Sequence, residues 1–135
     1  MKKVLVFGTF DIFHEGHRNF LKQARAHGEY LRIVVARDVT VLKVKGKLPR
    51  HSEGERVNAI KKSGLAEKVV LGGLDDRYRV VREYKPDVIC LGYDQKQSIP
   101  ELRRKLAESG LGRTQIIRLE AYKPEIYKSS LLRIM

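Results

Sequence analysis

Apolar, branch-rich runs recur along the chain at Val4 to Phe7, Leu31 to Ala36, Lys68 to Leu71, Val88 to Leu91 and Thr114 to Leu119. Their near-continuous apolar character is what strands covered on both faces require, and parallel sheets flanked by helices supply that cover. Between them lie stretches that predict helices over His17 to His27, Ser52 to Ser63, Arg77 to Lys85 and Pro100 to Ser109, each closed or followed by Gly, Pro or a polar break. In the first, Phe13, His17, Phe20, Leu21 and Ala24 fall at helical spacings on one stripe, facing the sheet. In the second, Ser52 with Glu55 three residues later forms a capping-box pattern, while Val57, Ile60 and Leu65 supply apolar surface. The expectation is an α/β chain folded as one domain over residues 1–135, since two domains of half that size would each have too small a core. Two basic segments break the alternation: the lysine-rich loop Lys43 to Arg50 after the second strand, and Tyr122 to Ser130 after the last. Both are expected near the carboxyl ends of strands, where open α/β sheets place their ligands.

Composition narrows the choice of partner. Lys and Arg number 28 against 16 Asp and Glu, a formal charge of +12 that favours anionic ligands. Hydrophobic residues make up 42% of the chain, enough to build a core and too many for a disordered basic tail. The single cysteine, Cys90, allows no internal disulfide, and no Cys/His set has zinc spacing, which fits a reducing, cytoplasmic setting. No apolar run reaches the length of a signal-peptide core or a membrane span, so no membrane partner is expected.

The chemistry concentrates in Gly8 to His17, GlyThrPheAspIlePheHisGluGlyHis, which leaves the first strand and enters the first helix. A helix start presents free N–H groups and the positive end of a dipole, a seat for phosphate. His14 and His17 are three residues apart, so on the first helical turn they share a face and can point at one phosphate. Gly16 is expected to leave room for the ligand, Gly8 to let the chain turn out of the strand, and Thr9 to add a hydroxyl. Donors converging from several sides are what a phosphorus centre gaining negative charge needs. Cys90 reads as a small core residue, and His27 and His51 as surface or capping residues.

The segment Gly8 to His17 resembles the signature of the HIGH-motif nucleotidylyltransferase superfamily. The resemblance extends to AlaArgAsp at Ala36 to Asp38, the lysine-rich loop, GluGlyGluArg at Glu53 to Arg56, LeuGlyTyrAspGln at Leu91 to Gln95 and TyrLysProGluIleTyrLysSerSer at Tyr122 to Ser130. In that combination the chain looks most like the archaeal-type FMN adenylyltransferases. The resemblance implies a Rossmann-like three-layer sandwich on a five-stranded parallel sheet of order 3-2-1-4-5, and a homodimer. It implies transfer of AMP from ATP to FMN, giving FAD and pyrophosphate, with Mg²⁺ or a similar divalent ion held mainly by the triphosphate. By the same resemblance His14 and His17 are the catalytic pair, and Thr9, Phe10, His14, Glu15, Gly16, His17, Asp94 and Tyr122 bind the nucleotide. Asp11 is expected to brace the loop or the metal shell. Lys43, Lys45 and Lys47 are candidates to neutralise the triphosphate or the acceptor phosphate, and a solvated charge run remains the other reading. Lys128, Ser129 and Ser130 resemble a second phosphate-binding helix start, although Tyr127 and Lys128 stand where the wider superfamily has an isoleucine followed by hydroxyl residues. Arg56 reads equally as part of a helix start, an active-site residue or a subunit contact.

Two other functions stay in play. A CTP-dependent cytidylyltransferase acting on glycerol 3-phosphate or a related phosphoalcohol would use the same phosphate machinery, because base and acceptor choice lie in pocket shape. A non-enzymatic nucleic-acid-binding role would use the +12 charge, yet aromatic content is only 7% and no binding motif is present, so nucleic acid is not the expected partner.

Overall fold

A computed structural model of the chain describes residues 1–74, 76, 78–93, 95 and 99–120. The elements run β1 (Lys3–Gly8), α1 (Glu15–Arg25), β2 (Tyr30–Val35), α2 (Asp38–Lys45), α3 (Glu53–Ser63), β3 (Lys68–Leu71), α4 (Arg79–Tyr84), β4 (Val88–Leu91), α5 (Ile99–Glu108) and β5 (Gln115–Arg118). All five strands pair in parallel, in the order β3-β2-β1-β4-β5. This is the α/β sheet and strand order that the resemblance implies.

Alternation along the strands sorts the core into two layers. Val4, Val6, Ile33, Val35 and Cys90 pack on one face against Leu21 and Ala24 of α1 and Ile60 of α3. Leu5, Val34, Ile89 and Leu91 pack on the other against Val81 and Tyr84 of α4 and Leu102 and Leu106 of α5. The chain therefore winds β1-α1-β2-α3-β3 on one side, then crosses to β4 and β5 on the other. The direction reverses between β1 and β4, and the crevice beyond their carboxyl ends is where a sheet of this kind receives a ligand. Cys90 is buried in β4, and burial pushes its thiol up to about 12, so it stays protonated and serves as packing.

Three elements depart from the expectations. The stretch expected to begin a lysine-rich loop at Lys43 is the end of an extra helix, α2, closed by Gly46 at φ 78° with its N–H on the Leu42 carbonyl. Its Val39, Val41 and Val44 are β-branched and follow no helical stripe, and of the eight residues Val41 alone is buried. α1 begins at Glu15 instead of His17, because His14 is its N-cap. α4 is shorter than expected, starting at Arg79. α3 carries the Ser52–Glu55 capping box in both directions, Ser52 Oγ accepting from Glu55 N at 3.2 Å and Glu55 accepting from Ser52 N at 3.1 Å. No helix among the described residues is long and apolar enough to cross a membrane.

Candidate active site

The loop that joins β1 to α1 holds Phe10 at φ 56° and Ile12 at φ 50°, left-handed conformations that a non-glycine, and above all a β-branched residue, adopts only under constraint. Phe10 supplies the constraint. Its ring is 5% exposed and lies so close over β1 that a Cβ on Gly8 would sit 2.6 Å from its Cε2. Gly8 is thus required by the packing of Phe10 and not, as expected, by a turn that only glycine can make. The same ring meets His17 edge-on at 5.5 Å and Phe20 at 6.1 Å. Phe10 therefore shapes the site from below, its ring packed into the core.

The two histidines interlock. Gly16 N–H donates to His14 Nδ1 at 3.0 Å, and His14 N–H donates to His17 Nδ1 at 3.2 Å, which together make a capping box built from imidazoles. Both Nδ1 atoms are acceptors, so in the neutral rings each proton sits on Nε2. The rings stack with centroids 3.9 Å apart at 24°, and Phe13 stacks on His17 at 5.6 Å. Burial, then the neighbouring His14, pushes His17 down to about 4, with Asp11 opposing; burial also lowers the more exposed His14. At neutral pH the start of α1 thus carries two uncharged Nε2–H donors at the positive end of its dipole. Gly16 serves this arrangement directly: a Cβ there would stand 2.8 Å from His14 Cε1. The space that its lack of a side chain leaves is taken by the capping imidazole, where the sequence suggested a ligand.

Asp11 braces the next segment. Its carboxylate accepts from Arg50 N at 2.8 Å and His51 N at 2.9 Å. Burial raises this carboxyl, and the His51 and Arg50 donors more than offset that, holding it below its usual range. Glu15, exposed in the first turn of α1, pairs with Arg18 at 3.4 Å. Lys43 and Lys45 end α2 and Lys47 follows it; all three are exposed, and among the described residues none forms an ion pair.

Arg56, the residue with three open readings, has a specific place. It is 1% exposed, and its guanidinium donates to Thr9 O at 2.9 Å, Ala36 O at 2.8 Å, His51 O at 3.1 Å and Asp38 Oδ1 at 2.7 Å. One planar group thereby ties the loop after β1, the end of β2, the first turn of α2 and the segment before α3. Gln95 makes a similar link on the other side of β1, donating to Phe7 O at 2.8 Å while accepting from Gly92 N at 2.7 Å. Arg118 then holds the Gly92 and Gln95 carbonyls at 3.0 and 2.7 Å. Sequence reasoning did not single out Gln95 or Arg118; the one signal was that Gln95 closes the LeuGlyTyrAspGln run. Thr9, Phe10, Asp11, His14, Gly16, His17 and Arg56 are brought together at the carboxyl end of β1. Asp94, Tyr122, Lys128, Ser129 and Ser130 lie outside the described residues.

A sheet wound in both directions, with neutral imidazole donors and a helix start over its switch point, is an arrangement that can receive a phosphate group. Residues 5–134 match the cytidylyltransferase-like family, and the chain belongs to it. A protein of Thermoplasma acidophilum named FAD synthase is 38% identical over 133 residues, which are 98% of this chain and 92% of that protein. Another of that name, from Methanococcoides burtonii, is 39% identical over 130 residues, 96% of this chain and 89% of its own length. A crystal structure described as the lipopolysaccharide core biosynthesis protein from Thermoplasma volcanium superposes with a TM-score of 0.86 at 38% identity, covering 91% of this chain and 99% of that one.

Proposed function

We propose that the chain is an FMN adenylyltransferase, an FAD synthase that transfers AMP from ATP to FMN. The observation that carries this reading is the His14–His17 pair, two neutral Nε2–H donors at the start of α1, in a chain so similar over nearly its whole length to proteins named FAD synthase. In the reaction a phosphate oxygen of FMN attacks the α-phosphorus of ATP, the bond from that phosphorus to the β-phosphate's bridging oxygen breaks, and pyrophosphate leaves. Charge gathers on the α-phosphoryl oxygens and the leaving group, where hydrogen bonds from preorganised donors act on the transition state. His14 and His17 fill that role because they need no proton change to donate. Thr9 and the Glu15 N–H complete the cradle, the Gly16 and His17 N–H groups being engaged by the His14 cap, and Phe10 fixes its floor.

Arg56 positions the loop, and Asp11 holds the segment from Arg50 to Ser52 against it. By resemblance, ATP is taken with its divalent ion as one substrate, the ion held mainly by the triphosphate. Asp94 and Tyr122 are assigned to the nucleotide, Lys128, Ser129 and Ser130 to the β- and γ-phosphates, and Lys43, Lys45 and Lys47 to neutralising phosphate, all by resemblance. The 135 residues act as one catalytic domain, on the ground of their length, in the cytoplasm, on the ground of the single cysteine, and as a homodimer, on the ground of the resemblance.

A second reading, cytidylyl transfer to a small phosphoalcohol, is favoured by the family's cytidylyltransferase-like character. A two-by-two assay separates them: ATP or CTP against FMN or glycerol 3-phosphate, with Mg²⁺, scored by product mass and pyrophosphate release. FAD from ATP and FMN alone is the expected result. Product from CTP and glycerol 3-phosphate alone would transfer the chain to the second reading.

A further inference from the structure

The pole of the sheet opposite the histidine loop gathers cations and aromatic rings that the transfer chemistry leaves unused. Lys3 pairs with Tyr30 and Leu5 with Arg32, so all four side chains project on the α4 face. Lys3, Tyr30, Arg32, Glu83 and Tyr84, with Met1, line an open cleft of about 260 Å³. Lys3 begins β1 and Gly8 ends it, which sets the cleft about 17 Å along the strand from the histidine loop.

The electrostatics of this cleft are unbalanced. The Arg32 guanidinium lies on the Tyr84 ring, 4.4 Å from its centroid, and its Nε is shielded from solvent with no hydrogen-bond partner among the described residues. Lys3 Nζ donates to Tyr84 O at 2.5 Å and stands 5.0 Å from the same ring, with two further N–H donors to give. The neighbouring acids are already engaged. Glu83 pairs with Arg79 at 3.0 Å, Asp87 accepts from Lys3 N at 2.8 Å, and Glu67 accepts from Leu31 N at 2.6 Å and pairs with Arg25. The Tyr84 hydroxyl reaches the Val4 and Tyr30 carbonyls at 3.4 and 3.3 Å and offers the cations no charge. Arg32 as a whole is half-buried in the wall of the cleft and forms no ion pair among the described residues, and anionic oxygens are the partners that best match such a guanidinium. Two converging cations favour a dianion over a single negative charge.

We propose that this cleft is a phosphate-binding site separate from the transfer centre, in which Arg32 and Lys3 hold the phosphate oxygens between the walls formed by Tyr30 and Tyr84. The same chemistry is offered by free phosphate and by the phosphate of a nucleoside monophosphate.

The test is a titration of the isotopically labelled full chain with inorganic phosphate at constant ionic strength, followed by ¹H–¹⁵N correlation spectra. Saturable shifts are expected at the amides of Lys3, Tyr30 and Arg32 and at the Arg32 Nε–H. Arg32→Gln and Lys3→Gln should each weaken that binding at least tenfold and leave AMP transfer to FMN at the wild-type rate. A parallel titration with AMP identifies the source. Tenfold tighter binding than phosphate at these same residues means a nucleotide, and equal affinity means the phosphate group suffices; either supports the site. The proposal is overturned if these residues do not shift, if sodium chloride alone reproduces the shifts, or if both variants bind within threefold of wild type.

Discussion

Replacing Arg56 by Met keeps much of the side chain's length and apolar stem but removes the guanidinium that joins four segments. The Thr9, Ala36 and His51 carbonyls each lose a donor at 3.1 Å or less, and the Asp38 carboxylate loses its partner at 2.7 Å. Breaking a buried ion pair from one side costs about 3–5 kcal/mol. Asp38 keeps 32% of its side-chain surface exposed while Arg56 keeps none, so water relieves part of the loss on the acid alone and the lower end, about 3 kcal/mol, is expected. For a chain of this length that corresponds to a fall in Tm of roughly 10 °C. Urea unfolding should show a lower midpoint at an unchanged slope, the sign of lost stability without a changed denatured state. Arg56→Lys keeps the charge but not the planar fork and should recover less than half of the deficit. In Arg56→Met kept below its midpoint, transfer should slow as well, because Thr9 is no longer held against α3. A loss below about 1 kcal/mol in Arg56→Met would refute the reasoning, since the four contacts could not then be the strap described.

Three further outcomes follow from the site. The His17 imidazole, pushed down to about 4, should stay neutral in an NMR titration of the free protein through pH 6, and its shifts should report a proton on Nε2. Its folded pKa lies below the unfolded value near 6.5, so its contribution to stability is complete above pH 6.5 and is lost as pH falls towards 4. Denaturant unfolding of wild type and His17→Gln across that window should converge as pH drops. Gly16→Ala should displace the His14 ring, 2.8 Å from the new Cβ, and cut kcat at least tenfold while costing only about 1 kcal/mol of stability, the scale of a lost cap.

How far the sequence discloses this molecule depends on whether the decisive contact is local. The strands were legible because Val4 to Phe7 or Val88 to Leu91 must be apolar on both faces, and the α3 start because Ser52 and Glu55 carry their own signal. The His14–His17 pairing was legible for the same reason, three residues on one helical turn. α2 was not: Val39, Val41 and Val44 favour strands by propensity, and its clues were Asp38 at its start and Gly46 at its end. The reasons for Gly8 and Gly16 were hidden because a sequence does not say which ring will occupy the space of a missing side chain. Arg56 was hidden more deeply, since two of its partners, Ala36 and Thr9, lie 20 and 47 residues away.

The proposed transfer depends on His14 and His17 as neutral donors to the reacting phosphates. Steady-state AMP transfer from ATP to FMN by wild type, His14→Ala and His17→Ala, each verified as folded by its unfolding midpoint, tests this most directly. Each variant should lose on the order of 10² in kcat with KM for ATP changed far less, because the donors act on charge that develops in the transition state. A kcat within threefold of wild type in both variants would contradict the account.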